Sequence, residues 1–299
     1  MPTRKSPRKG RLQFWPRKRA AKFLPSVNWD AINSGKHLKG FICYKARMIS
    51  GYVKDNTSNS MTKGKNIILP LTILECPPLK IFSVRFYKND KVMTEILAEN
   101  LDKELKKKVK IPKKYEKKIE AIKDYEDVRV ICYSQVKKTG LKKKPDLVEI
   151  GLNGSIQEKI NFIKEKMGKE ISILDIFEKN QLVDLRGLTK GQGLSGPVKR
   201  FGITLKFHKS EKGQRRPGSL GPWHPARVTF RAPMAGQLGM FTRAVYNNKI
   251  IDMGKASDKN LKNIKNFGDI KTDYILVKGS VQGPAKRQLI ITFPLRESK

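Results

Sequence analysis

The chain has 299 residues, with 64 Lys and Arg against 27 Asp and Glu, a formal net charge of +37 and a pI near 10.2. About one uncompensated positive charge for every eight residues opposes compaction unless a polyanion neutralises it, so the charge speaks about partners and makes nucleic acid the first suspect. A hydrophobic content of 38% still permits a core, and the length allows one or two domains. The longest apolar stretch, Ile67 to Leu74, falls far short of the roughly twenty residues of a membrane-spanning helix, and no apolar run follows the basic N-terminus as it would in a signal peptide. A cytoplasmic protein is expected.

In chain order, the first 29 residues contain no acid. Basic residues at positions 4, 5, 8, 9, 11, 17, 18, 19 and 22 are interleaved there with Phe14, Trp15 and Phe23. Short segments rich in β-branched and aromatic residues, bounded by Gly, Pro or Asn, then read as strands: Gly40 to Met48, Asn66 to Cys76, Ile81 to Tyr87 and Val128 to Gln135. Between them, mixed charge and helical spacing predict surface helices over Val92 to Lys108 and Lys113 to Tyr125, broken at Pro112. Ser155 and Glu158 form a capping box ahead of Ile156, Ile160, Ile163 and Met167, which predicts an amphipathic helix facing the core. Ser172 and Asp175 repeat the signal before a short helix over Ile173 to Lys179. Further strands are predicted at Leu182 to Arg186, Arg227 to Phe230, Ala244 to Asp252, Tyr274 to Lys278 and Gln288 to Phe293. Their spread over both ends of the chain suggests one sheet or barrel closing early strands against late ones. Cys43, Cys76 and Cys132 stand singly in apolar contexts and read as small buried hydrophobes, not as disulfides or zinc ligands.

A second basic zone, Gly187 to Tyr246, has eleven Lys and Arg, ten Gly and a single acid, Glu211. Within it Gly191, Gly193 and Gly196 spell G-x-G-x-x-G, but no amphipathic helix and no ribose-binding acid follow, so a dinucleotide site is excluded. The three histidines, at 37, 208 and 224, have no partners at metal or triad spacing, and His224 beside Trp223 reads as a loop residue with a binding role as the alternative. Carboxylates are missing where glycines and aromatics gather, so acid–base catalysis has no seat. What remains is a texture suited to folded RNA: cations for phosphates, Gly and Pro for close backbone approach, and isolated aromatics for exposed bases. Sixty residues with so lopsided a charge and so many glycines imply an ordering partner.

The residues resemble one family, the universal large-subunit ribosomal protein L-three in its archaeal and eukaryotic form. The opening Arg8-Lys9-Gly10-Arg11-Leu12-Gln13-Phe14-Trp15-Pro16-Arg17-Lys18-Arg19 is similar to that form's opening, and Gly40-Phe41-Ile42-Cys43-Tyr44-Lys45-Ala46 to its first barrel strand. Lys142-Lys143-Lys144-Pro145-Asp146, the glycine-rich stretch from Gly187 to Gly202, Arg216 to Pro225, Ala235 to Gly239 and Leu276 to Pro284 follow in family order. One departure is Arg47, where the family has glycine.

The resemblance implies a mainly β protein with α insertions (α+β), a closed β-barrel of the translation-protein type with a helical insertion and long RNA-binding extensions. The expected parts are a basic N-terminal extension (1–37), the first part of the barrel (38–88), a helical insertion with an interspersed strand (89–181), a barrel strand with the glycine-rich entry to the central extension (182–202), the central finger with its tip near 223 (203–240) and the C-terminal part of the barrel (241–299). The same likeness implies no catalytic group: the protein scaffolds large-subunit rRNA early in assembly and shapes the surroundings of the peptidyl-transferase centre and the aminoacyl-tRNA entry. Its RNA-binding residues would be Arg8, Lys9, Arg11, Phe14, Trp15, Arg17, Lys18 and Arg19 in the arm, Lys190, Lys199, Arg200, Arg215, Arg216, Arg227 and Arg243 bridging phosphates, and Trp223 with His224 at the fingertip. Expected partners are large-subunit rRNA and neighbouring ribosomal proteins, with no membrane, no small-molecule substrate and no homo-oligomer. No cofactor is expected, structural Mg2+ belonging to the rRNA. The competing readings are a free-standing chromatin-type packaging protein, which the charge permits, and an RNA-modifying enzyme, which lacks a catalytic group.

Overall fold

In a computed structural model, the described residues are 7–112, 119, 122, 124–259 and 261–296. The chain divides into two compact units: one combines the described residues up to Phe23 with Leu188–Thr242, and the other comprises Leu24–Gly187 with Arg243–Lys299.

The larger unit is mainly β. Its strands are β1 (Gly40–Lys54), β2 (Asn66–Cys76), β3 (Leu79–Lys88), β4 (Lys91–Leu97), β5 (Asp127–Ser134), β6 (Leu147–Gly151), β7 (Leu182–Leu188), β10 (Thr242–Gly254), β11 (Asp273–Lys278) and β12 (Gln288–Thr292), while β8 (Gly191–Ser195) and β9 (Gly236–Gly239) belong to the smaller unit. Six of them follow one another in a closed ring, β1-β12-β7-β10-β11-β2, in which the N-terminal β1 pairs antiparallel with the C-terminal β12, Phe41 opposite Ile291. The expected closure of early strands against late ones is therefore present. A second sheet, β4-β3-β5-β6, continues the same apolar core, which runs from Phe41, Ile42 and Leu74 through Val84, Val130 and Ile150 to Leu185, Ile275 and Ile290. All three cysteines lie free in the interior.

Three sequence expectations are corrected. Val92 to Lys108 is not a helix: β4 covers its first part, and only a 3-10 turn forms at Lys103–Lys107. The cause is the pair Asn89 and Asp90, both left-handed (φ 49° and 58°), which closes a two-residue hairpin between β3 and β4. A register shift beside Val92 then places Val92 and Met93 both outward and hides the strand's period-two pattern. Arg227 to Phe230 is irregular and exposed, its backbone closing turns at Arg227 to Pro225 and Ala232 to Thr229. Lys113 to Tyr125 lies largely outside the described residues. The capped helix is present as α2 (Ile156–Lys166), following the one-turn α1 (Val136–Thr139): Ser155 Oγ accepts from the Glu158 N–H, whose carboxylate accepts from the Ser155 N–H. The second capped segment is only a 3-10 turn, Ile173–Asp175. Arg47 falls where the β1–β2 register shifts between Lys45 and Met48, and its backbone is not left-handed, so the irregularity is met here without positive φ.

Buried polar groups pin this unit. Tyr44 donates to Asp146 Oδ2 at 2.6 Å and shares a hydrogen bond with Ser134 Oγ, and Lys142 pairs with the same carboxylate, which explains the Lys-rich landmark ending in Asp146. Burial, then the Asp146 charge, pushes the Tyr44 phenol well above its ordinary range and keeps it the donor.

Glu75 is fully buried on β2. Its Oε1 accepts from the N–H groups of Lys271 and Thr272, whereas Oε2 has no partner. Burial raises its pKa above the ordinary 4.5, against the lowering effect of those hydrogen bonds. The folded state then holds this proton where the unfolded chain has released it, so stability contributed at low pH is lost as pH climbs from about 4.5 through the raised value. Glu75→Gln keeps the acceptor and removes the charge. Its urea-unfolding midpoint is expected to exceed that of the wild type at pH 7 and above, with the two converging near pH 4; parallel curves across that range would refute the assignment.

Candidate nucleic-acid interface

The smaller unit is built from two segments distant in sequence and both nearly free of acids. Its regular elements are β8 (Gly191–Ser195), β9 (Gly236–Gly239) and the one-turn helix α3 (Pro197–Phe201), which the sequence reading did not anticipate. Pro197 opens α3 and Gly202 (φ +65°) ends it. β8 and β9 pair antiparallel with Gly191 opposite Gly239. At Gly239 (φ +77°) a Cβ would collide with the Lys190 carbonyl, so only glycine lets the two backbones meet. The G-x-G-x-x-G pattern is thus strand geometry with no phosphate loop of the dinucleotide kind.

Arg200 is the knot of the unit. Its Nε donates to the Gln237 carbonyl at 3.0 Å, Nη1 to Met234 at 3.0 Å and Nη2 to Arg17 at 3.1 Å. Arg17 replies through Nη1 to the Arg200 carbonyl at 2.8 Å and lies over the Phe201 ring at 4.3 Å. Burial depresses the Arg200 pKa from its usual value. These bonds fasten the N-terminal arm to β9 and α3, so both arginines are committed to holding the unit together.

Around the knot sits an aromatic cluster. The Trp15 indole stacks on Phe201 (5.8 Å, 24°), meets Phe230 edge-on (5.6 Å, 74°) and donates from Nε1 to the Arg11 carbonyl at 2.8 Å. Gly10 (φ +81°) lies so close that a Cβ would sit 2.6 Å from Phe201. Arg8 joins the arm to the later segment through a 2.9 Å bond to the Arg231 carbonyl.

The remaining sequence candidates divide clearly. Lys9, Arg11, Lys18, Arg19, Lys190, Lys199, Arg215, Arg216, His224 and Arg227 are exposed on this unit, with Phe14 half exposed. Trp223 is 88% exposed and stands beside a cleft of about 370 Å³ bordered by Leu220, Pro222, Pro225 and Val228. Arg243 belongs to the larger unit, half-buried at the start of β10, where its carbonyl accepts from Gln282. Phe201, Phe230 and Arg231 were missed; the available signal was their place in the same acid-poor stretch as the residues that were singled out. The unit thus sets many exposed cations and several open aromatic faces against one carboxylate, Glu211, a surface that matches phosphate charge and unstacked bases together.

A family model described as Ribosomal protein L3 matches residues 1–299. The "Large ribosomal subunit protein uL3" of Methanocaldococcus jannaschii is 40% identical over 97% of this chain and 91% of its own length. Those of Methanobrevibacter smithii and Methanococcus vannielii are each 39% identical, covering 97% and 98% of this chain and 92% of their own. Whole-length agreement with the family, over both the strand ring and the acid-poor unit, shows that the chain belongs to the ribosomal protein L3 family.

Proposed function

We infer that the chain works as a structural, non-enzymatic component of the large ribosomal subunit in the cytoplasm, bound to rRNA and neighbouring ribosomal proteins. Within that role, the six-stranded ring is a barrel of the translation-protein type, and the acid-poor unit is the part that enters rRNA. The observation that carries this reading is the joining of two acid-poor segments by Arg17 and Arg200 into one unit with cations and aromatic faces turned outward. Each phosphate neutralised releases counterions, which gives affinity without sequence choice, while the folded knot fixes where the charges stand. Structural Mg2+ would come with the RNA. The packaging-protein reading is not favoured, since the relatives covering the whole chain are large-subunit proteins.

The loop bearing Trp223, stiffened by Pro222 and Pro225, is the finger that approaches the peptidyl-transferase centre and aminoacyl-tRNA entry. Trp223→Ala removes a stacking face worth about 1–3 kcal/mol and leaves the knot intact. The variant chain is expected to assemble normally and to change the rate of aminoacyl-tRNA accommodation in stopped-flow measurements; unchanged kinetics would remove this role. A hydroxyl-radical source tethered at Trp223→Cys tests the placement itself: cleavage of rRNA around the peptidyl-transferase centre is expected, and cleavage confined to distant helices would place the finger elsewhere.

A further inference from the structure

The acid-poor unit contains a recess of about 600 Å³, within the roughly 300–1,000 Å³ of ordinary ligand clefts. Trp15, Val228, Phe230 and Met234 form its apolar walls, with Arg17 and Arg200 alongside and the Thr229 hydroxyl as a neutral polar group. Trp15 is held in place by Phe201 and by its bond to Arg11, so the wall is preformed, whereas Phe230, Val228 and Met234 present 64%, 52% and 42% of their surface. Arg200 has three donors committed to the carbonyls of Gln237, Met234 and Arg17, and Arg17 answers to the Arg200 carbonyl. The recess therefore offers flat apolar walls in a positive field, with its guanidiniums already employed in holding the walls. An acidic side chain entering the recess would call for a guanidinium fork there aimed at its carboxylate, and a basic peptide would be repelled. A flat aromatic ring carried on a polyanionic backbone satisfies both conditions.

We propose that this recess takes one unstacked nucleobase of the rRNA, stacked on the face of Phe230 with its edge toward Trp15, while its flanking phosphates meet exposed Arg227 and Arg231. This rests on the rRNA-binding reading above and adds a base-sized site to it, next to the Trp223 cleft with Val228 shared between them.

The test uses intact large subunits carrying the full chain as wild type, Phe230→Ala or Phe230→Trp, washed at high salt and probed with base-specific reagents. Phe230→Ala is expected to raise the reactivity of one or two nucleotides at least about fivefold, the factor corresponding to ~1 kcal/mol of lost stacking, and Phe230→Trp to leave them protected. In wild-type subunits, ultraviolet cross-linking should join the Trp15 or Phe230 peptide to the same nucleotide. Unchanged reactivity in subunits that contain the alanine variant overturns the proposal, as does a cross-link from these peptides to a protein, or none while Trp223 cross-links. Wild-type chain absent from the washed subunits would instead overturn the rRNA-binding reading itself.

Discussion

Arg200→Ala is expected to release the N-terminal arm from the rest of the acid-poor unit. Its guanidinium serves three carbonyls on two backbone stretches, Arg17 in the arm and Met234 and Gln237 leading into β9. Hydrogen bonds involving a charged group contribute about 1.5–3 kcal/mol each, so the loss is at least about 3 kcal/mol even where water replaces part of it. Arg200→Lys cannot rescue it, because an ammonium has no planar fork with which to reach the three carbonyls together. Phe201 and Arg17, which the same residue keeps in register, loosen with it, and Trp15 loses the ring it stacks on. Hydrogen exchange of the full chain is the direct measurement: residues 10–23 and 196–202 should lose protection in both variants, while β1 and β12 keep theirs. Retained protection of the arm in Arg200→Ala would show that the aromatic cluster and the bonds of Arg8, Arg17 and Ala20 to backbone carbonyls hold the arm without this guanidinium.

In the larger unit the most costly single change is expected at Asp184. This carboxylate lies at 0% exposure on β7 and accepts the Asn247 N–H at 2.9 Å and the Leu295 N–H at 3.0 Å, with Arg186 Nη2 at 3.7 Å. It thereby ties β7 to its neighbour β10 and to the segment after β12, which also borders β7. Asp184→Ala leaves two backbone donors without a partner and a cavity beneath them, together about 2–5 kcal/mol. Asp184→Asn retains one acceptor and turns an NH2 toward the second donor, so an intermediate loss is expected. Urea unfolding at fixed salt orders the three proteins. A loss below about 1 kcal/mol for the alanine variant would mean that the desolvation cost of the carboxylate cancels what its bonds contribute.

Much of this architecture was legible in local chemistry. Asn66 to Cys76 carries an apolar, β-branched run bounded by polar residues, and β2 has those limits. Ser155 and Glu158 named the start of α2, because capping is decided within four residues. The hairpin into β4 escaped because its apolar residues fall at helical spacing once a bulge puts Val92 and Met93 on one side, and because Asn89-Asp90 was not read as a turn with two left-handed residues. β8 and β9 escaped for the opposite reason: glycine-rich strands have almost no side-chain pattern, and their pairing depends on a backbone approach visible only in three dimensions. At the interface, charge and composition singled out Trp15, Arg17 and Trp223, all of which lie on the acid-poor unit. They could not foretell that Arg17 and Arg200 serve each other's carbonyls, since hydrogen bonds between residues 183 positions apart have no local signature. Phe201 and Phe230 became meaningful only beside Trp15.

The measurement that bears most directly on the function is sucrose-gradient fractionation of native extract at low and high salt, following this chain through free, small-subunit, large-subunit and polysome fractions. A unit knotted together and embedded in rRNA predicts co-sedimentation with large subunits and polysomes that survives the high-salt wash. A chain that runs free, or that washes off readily as salt rises, would contradict it and would reduce the acid-poor unit to a peripheral electrostatic arm.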